Sequence, residues 1–347
     1  SQHTMKRGVL MNLFRIVQKR TNKREHNGSP LQDVLTVLLF VFLLPYVISC
    51  LWGHVGEETD VLSHKADTEE TERIDERYEV ELVGDWGTKH MTMQEYLIRK
   101  LKVVMPKEEG SGKMYEPEAL KAQAVLIRTE LWGLFRSGED TVVLQDEVLL
   151  YDHDELYTQE EESLYAEAVM VTDGLYLSYE GKTIKASFFP VSSGQTRNAD
   201  EALANGSYPY LISVECEQDI LAKDYQSQVT YSKEEYGQRI SELFSEDQAV
   251  QDLWNRLTFT YDSAGYVIKA EADGAFCSGE TFRYAFGLSS ASFRAEWGED
   301  AVTFYVKGAG HGFGMSQYGA NEKAAAGDTF NQILEHYFFQ VELVKIE

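Results

Sequence analysis

Cysteine is scarce in this chain: 347 residues carry three. Cys50 sits in an uncharged apolar run, which leaves Cys216 and Cys277 for the rest. Their spacing permits one disulfide and demands none. There is no Cys-x-x-Cys and no His-x-x-x-His pattern, so neither a structural zinc site nor any other cofactor is expected. Stability must then come from a core. A content of 43% hydrophobic and 12% aromatic residues is enough for one large domain or two small ones.

Positive charge is short as well, except at the start. Lysine and arginine number 32 against 57 acids, for a formal net charge of -25. Residues 1–30 hold Lys6, Arg7, Arg15, Lys19, Arg20, Lys23 and Arg24 against Glu25 alone, and nearly all the acids follow residue 50. So acidic a surface repels phosphate backbones, which excludes a nucleic-acid partner.

Between the two regimes runs VLTVLLFVFLLPYVISCLW, residues 34–52, without a charge. About 18 apolar residues or more suffice for a membrane-spanning helix. Pro45 can kink such a helix without forbidding the span. The basic flank predicts a cytoplasmic N-terminus, residues 1–33, with everything after Gly53 exported. A cleaved signal peptide is the rival, but its apolar core is usually only ~7–15 residues and ends at a small-residue site. The reading is a single-pass plasma-membrane protein. Residues 53–77, acidic and without periodicity, read as a solvated stalk.

From residue 78 to 347 the pattern is that of one exported α+β domain with mixed strands and helices, without repeats or an internal linker. Val80 and Leu82 before GDWG predict a strand and a hairpin bend. Thr92 and Glu95 form a capping-box signature for a helix through Leu97 and Leu101. EPEALKAQAVLIRTELWGLFRSG, residues 116–138, is the strongest helix: Pro117 suits its first turn and Gly138 its stop. YAEAVMVT reads as helix. GLYLSYEGKTIKASFF reads as a hairpin turning at Glu180–Gly181, and LTFTYDSAGYVIKAEA as another turning at Ala264–Gly265. VTFYVKG is a strand, MSQYGANEKAAAG a helix ending near Gly327, and Thr329 with Gln332 caps a last helix through Ile333, Leu334 and Tyr337.

Residues 308–319 read GAGHGFGMSQYG. The glycines do not match G-x-G-x-x-G, no Lys-Ser or Lys-Thr completes a phosphate loop, and GMSQYG is not a G-x-S-x-G elbow. Two readings remain. Glycines lack a Cβ and accept positive φ, so a polymer can lie on bare backbone beside His311, Ser316, Gln317 and Tyr318. Alternatively the stretch is a tight turn packing strand on helix, with His311 bonded internally.

GHGFGMSQYGANEKAAAGDTFNQILEHYF closely resembles the C-terminal signature of the stage II sporulation protein D family, which includes amidase enhancer proteins. EALKAQAVLIRT (118–129) resembles its N-terminal signature, PVSSGQTRNADEAL with YPYLISVE (190–215) its central one, and FRYAFGLSSASF (282–293) a fourth. The resemblance covers roughly residues 78–347, in family order. It implies lytic transglycosylase chemistry on peptidoglycan strands freed of stem peptides, during sporulation, beside other cell wall or engulfment proteins. One carboxylic acid protonates the glycosidic oxygen, then as carboxylate takes the proton of the muramic acid C6 hydroxyl, which closes a 1,6-anhydro ring. A glutamic acid in that role needs a raised pKa.

The family acid precedes Met-Pro. Here the stretch is LKVVMPKEEG, and Val104 stands in its place. Glu108, Glu109 and Glu116 follow in a longer connection, each a candidate replacement or simply a solvated loop acid. The resemblance places Gln123, Ser193, Gly194, Thr196, Asn198, His311, Gly312, Ser316, Gln317 and Tyr318 in the substrate groove. Lys121, Gln123 and Arg128 cannot share one helix face, so at least one is structural; Arg128 against a carboxylate is the expectation. Some family members hold a metal near a Cys/His cluster after this helix. The corresponding LLYDHDELY has His153 but no cysteine, and reads as a polar loop. Three functions follow: a transglycosylase with a recruited acid, a glycan-binding pseudoenzyme, and an activator of a cell wall amidase.

Overall fold

The computed structural model describes residues 73–85, 87–108, 111–145, 156–244, 253–272 and 274–347. The expected membrane span at 34–52, most of the expected stalk, Glu109 and nearly all of LLYDHDELY lie outside the described residues. Among the described residues no helix is long and apolar enough to cross a membrane. These residues belong to one body, 70–347, and the architecture is α+β.

Strand β1 (Glu79–Gly84) turns at Gly84 and Gly87 into antiparallel β2 (Gly87–Thr92), as the GDWG bend predicts. Val80 and Leu82 point inward on the period of two. Thr92 then caps helix α1 (Met93–Val104), trading hydrogen bonds with Glu95. Met93, Leu97 and Leu101 carry its buried stripe.

Helix α2 (Pro117–Trp132) has no solvent face to speak of. Leu120, Ala124, Ile127 and Leu131 enter one core, with α1 and helix α3 (Gln159–Val171). Ala122, Val125 and Leu126 enter a second. Each fully buried Leu or Ile contributes about 1.5–3 kcal/mol, so a helix covered on both sides organises the body around it. The helix ends at Trp132 rather than Gly138, a correction to the sequence reading. Phe135 leaves the helix but packs back on Tyr78 and Trp132, so the apolar pattern outlasts it. Strand β3 (Thr141–Leu144) pairs in parallel with β1.

Arg128 is the structural member of the helix trio, as expected. Its Nε and Nη2 donate to Asp75 at 2.9 and 2.6 Å, and both residues are buried. Asp75 lies in a 3-10 turn, Ile74–Glu76, whose Ile74 and Asp75 amides donate to Asp173. The sequence pattern puts these residues in the stalk; in the structure they are part of the folded body. The reason is the ion pair, which no local pattern announces.

Strands β4 (Leu175–Tyr179) and β5 (Lys182–Thr183) form the hairpin at Glu180–Gly181. Then follow β6 (Phe188–Phe189) and a short helix α4 (Ala199–Leu203). The next stretch builds a third, aromatic core: β7 (Gln226–Ser232), α5 (Lys233–Leu243), β8 (Thr258–Tyr261), β9 (Val267–Ala272), β10 (Ala275–Ser278), α6 (Gly279–Ala285), β11 (Phe293–Trp297) and β12 (Ala301–Lys307). The strands make two sheets, β10-β9-β8 and β11-β12-β7, with Phe282 stacked on Phe286 at 4.3 Å. The chain returns through β13 (Met315–Ser316), parallel to β6, into α7 (Gln317–Ala325) and α8 (Phe330–Tyr337). Strand β14 (Glu342–Lys345) closes on β4. Cys216 and Cys277 are free thiols in different cores.

Candidate functional site

Leaving β12, the chain crosses the body along residues 187–197. Gly308, Gly310, Gly312 and Gly314 all hold positive φ. A Cβ on Gly314 would stand 2.8 Å from the Ser187 carbonyl carbon and 3.3 Å from the Phe338 ring; on Gly312 it would meet Tyr266 at 2.7 Å and Arg197 at 2.8 Å. The other two press on Val191 and Phe189 in the same way. The bareness thus admits the chain's own neighbours. The expected shelf of open glycine backbone is not what these residues form; they are the tight packing turn. What they leave partly accessible are side chains, chiefly His311, Phe313 and Tyr318.

His311 lies between Phe189 and Phe313, with ring centroids 5.6 and 6.0 Å away. Its Nδ1 accepts the Phe313 amide at 3.1 Å. Burial pushes its pKa down to about 4, helped by the cations Arg283, Arg197 and Lys185. At neutral pH it is an uncharged imidazole, and since its ring is also hydrogen-bonded to the Phe188 backbone, both nitrogens are engaged within the fold.

Arg197 is the residue that sequence reasoning missed here. Its guanidinium pairs with Asp262 at 2.6 Å and donates to the His311 carbonyl at 3.3 Å. It also lies over the rings of Phe313 and Tyr266 at 4.6 and 5.0 Å. The signal was available, since Arg197 stands between two residues of the quoted central motif. That motif is largely internal. Thr196 is buried and its hydroxyl bonds Ile212 and Val214 backbone. Asn198 caps α4 through the Asp200 and Glu201 amides. Ser193 donates to the Ala264 carbonyl and is half-buried. Gly194, at φ 115°, has only Tyr225 Oη near its missing Cβ, at 3.9 Å.

The start of α7 gathers the remaining candidates. Ser316 accepts the Gly319 amide as N-cap and donates to Asp219 Oδ2 at 2.6 Å. The Ser192 amide donates to the same oxygen at 2.6 Å. Asp219, a second residue missed, therefore ties the central motif to the C-terminal one. No motif contained it. Burial raises its pKa, opposed by the Ser316 and Ser192 bonds. The Tyr318 amide donates to Pro190.

Gln317 reaches furthest. Its Nε2 donates to the Val104 carbonyl at 2.9 Å and to Gln123 Oε1 at 3.1 Å. One turn on, Asn321 Oδ1 accepts the Glu116 amide at 2.8 Å. The C-terminus of α1 and the N-termini of α2 and α7 thus meet along one seam. Gln123 is fully buried, and its Nε2 has no hydrogen-bond partner among the described residues. Of the acids named from sequence, Glu116 stands at this seam as the residue before α2. Glu108 is exposed and accepts a bond from Ser111 at 2.6 Å. Position 104 itself carries half-buried valine, which can neither give nor take a proton. Chemically, the seam brings the side-chain amides of Gln317 and Gln123 to position 104, and no carboxylate from position 104.

A family model described as "Stage II sporulation protein" matches residues 86–179. Stage II sporulation protein D of Bacillus amyloliquefaciens is 34% identical over 276 residues, 74% of this chain and 75% of the relative. The chain belongs to the stage II sporulation protein D family. Stage II sporulation protein D of Bacillus subtilis (strain 168) is 32% identical over 269 residues, 73% of this chain and 74% of the relative. An amidase enhancer of the same strain is 26% identical over 298 residues, 69% of this chain but 39% of the relative. The segment matched by the family model contains Val104, Glu116 and Gln123 but neither Gln317 nor Asn321, so only the α1 and α2 side of the seam falls within it.

Proposed function

We propose that this sporulation protein binds peptide-free peptidoglycan strands at the seam of α1, α2 and α7 and holds them without cutting. In this reading it is anchored at the plasma membrane by residues 34–52, with the body on the outer side. The observation that carries the proposal is the bond from Gln317 to the Val104 carbonyl. It places the position before Met-Pro among the motif residues, and that position lacks an acid. General acid catalysis supplies roughly 10²–10⁴ in rate, so its loss leaves little turnover. The half-buried side chains of His311, Phe313 and Tyr318 are the groups left accessible to meet a sugar.

One observation favours a second reading, cleavage by a recruited acid: Glu116 stands at the same seam, tied there through Asn321. A role as activator of a wall amidase is compatible with the likeness to an amidase enhancer. The test is co-sedimentation of the protein with peptide-free strands, with product analysis by mass spectrometry. Binding without new chain ends, weakened at least tenfold by His311→Ala in a folded variant, supports the reading. Absence of binding ends it. New 1,6-anhydro ends that vanish with Glu116→Gln establish the second reading instead.

A further inference from the structure

A cleft of about 340 Å³ opens where the outer face of the β11-β12-β7 sheet meets the turn at Ala264–Gly265 and Ser193. It lies at the small end of the roughly 300–1,000 Å³ typical of ligand sites. Of the residues that the resemblance places in the substrate groove, Ser193 alone lines it.

Its charge is the first reason to single it out. The chain holds 57 acids against 32 lysines and arginines, yet the residues lining this cleft include Arg294 and Lys307 and no acid. The sheet explains the grouping. Val302, Phe304 and Val306 of β12 face the aromatic core, so Tyr305 and Lys307 face outward. Arg294 is directly opposite Tyr305, and Gln226 opposite Lys307. The Arg294 guanidinium lies 4.1 Å from the Tyr305 ring centroid. Its one ion pair among the described residues, with Glu296 at 3.5 Å, is exposed on both sides and so weak. Lys307 has no ion pair among the described residues.

We propose that this cleft binds a carboxylate-bearing stretch of glycan, with Arg294 and Lys307 on the carboxylate. Tyr305 supplies an aromatic wall, and Ser227, Gln226 and Ser193 offer hydrogen bonds to hydroxyls. A guanidinium pairs a carboxylate with two parallel bonds, and an ammonium adds a second positive charge. Neutral sugars need neither. The inference rests on the glycan-binding reading and deepens it: Ser193 of the central motif lines the cleft, so one strand that passes the motif also reaches these cations. The peptide-free strand carries its carboxylates on the lactyl ethers of its muramic acid units.

The test compares two forms of one polymer with the full-length protein: peptide-free strands, and the same strands after carbodiimide coupling to methylamine, which removes the charge. Wild type is expected to bind the charged form at least tenfold more tightly. Arg294→Gln with Lys307→Gln should abolish that preference while leaving affinity for the amidated form unchanged. Both substitutions are at exposed side chains, and unchanged binding of amidated strands reports a folded protein. Equal binding of both forms by wild type, or a preference that survives the double substitution, overturns this inference and leaves the glycan reading standing. Binding of neither form overturns both.

Discussion

Gly314 offers a direct measurement of how tightly the motif is packed. In Gly314→Ala the new Cβ meets the Ser187 carbonyl, whose oxygen already accepts the Met315 amide, and the Phe338 ring. At φ 75° a side chain adds about 1–2 kcal/mol of backbone strain. Overpacking against backbone adds about 1–3 kcal/mol. The total is roughly 2–5 kcal/mol by these two principles together. Gly265, at φ 78° with nothing within 4 Å of its missing Cβ, is the internal control and carries the strain alone. At roughly 2–4 °C per kcal/mol for a large domain, Gly314→Ala should melt well below Gly265→Ala. Urea unfolding followed by tryptophan fluorescence gives the same comparison. Equal destabilisation by the two substitutions would refute the close-approach argument and reopen the idea of free glycine backbone.

Arg128→Ala leaves Asp75 buried without its partner and should cost about 3–5 kcal/mol, read by urea unfolding. The same variant should release the 3-10 turn, so trypsin cuts at Arg73 and Arg77 faster than in wild type; unchanged cleavage would detach the turn from the ion pair. His311, held near 4 against an ordinary value near 6.5, should stay neutral in an NMR titration down to about pH 5. Because the unfolded chain binds the proton first, this group's stabilisation is complete above about pH 6.5 and falls away as pH drops toward 4. His311→Gln should flatten that part of the stability profile; a midpoint near 6.5 would contradict the burial argument.

Local signals were legible in the sequence. The capping pairs Thr92/Glu95 and Thr329/Gln332 lie three residues apart and form as read. The bends at Gly84–Gly87, Glu180–Gly181 and Ala264–Gly265 need only residues at the turn itself. What was illegible depends on distant partners. Asp75 looked like one more stalk acid because Arg128 is 53 residues away. Asp219 carries no motif, and its task appears only when Ser192 and Ser316 converge on it. The glycines were ambiguous for a physical reason: a missing Cβ makes room equally for a ligand or for the chain, and only the fold decides. Thr196 and Asn198 lie in a recognised motif, yet bond to backbone, since a motif marks where a segment matters without separating its braces from its accessible groups.

The most direct test is to count 1,6-anhydro muramyl ends by mass spectrometry after incubating peptide-free strands with the natural protein and with Val104→Glu. A strand holder that lacks only its acid should release few at most, and the glutamate variant about 10² times as many or more. Anhydro ends made by the natural protein at a rate that Val104→Glu does not improve would contradict the account.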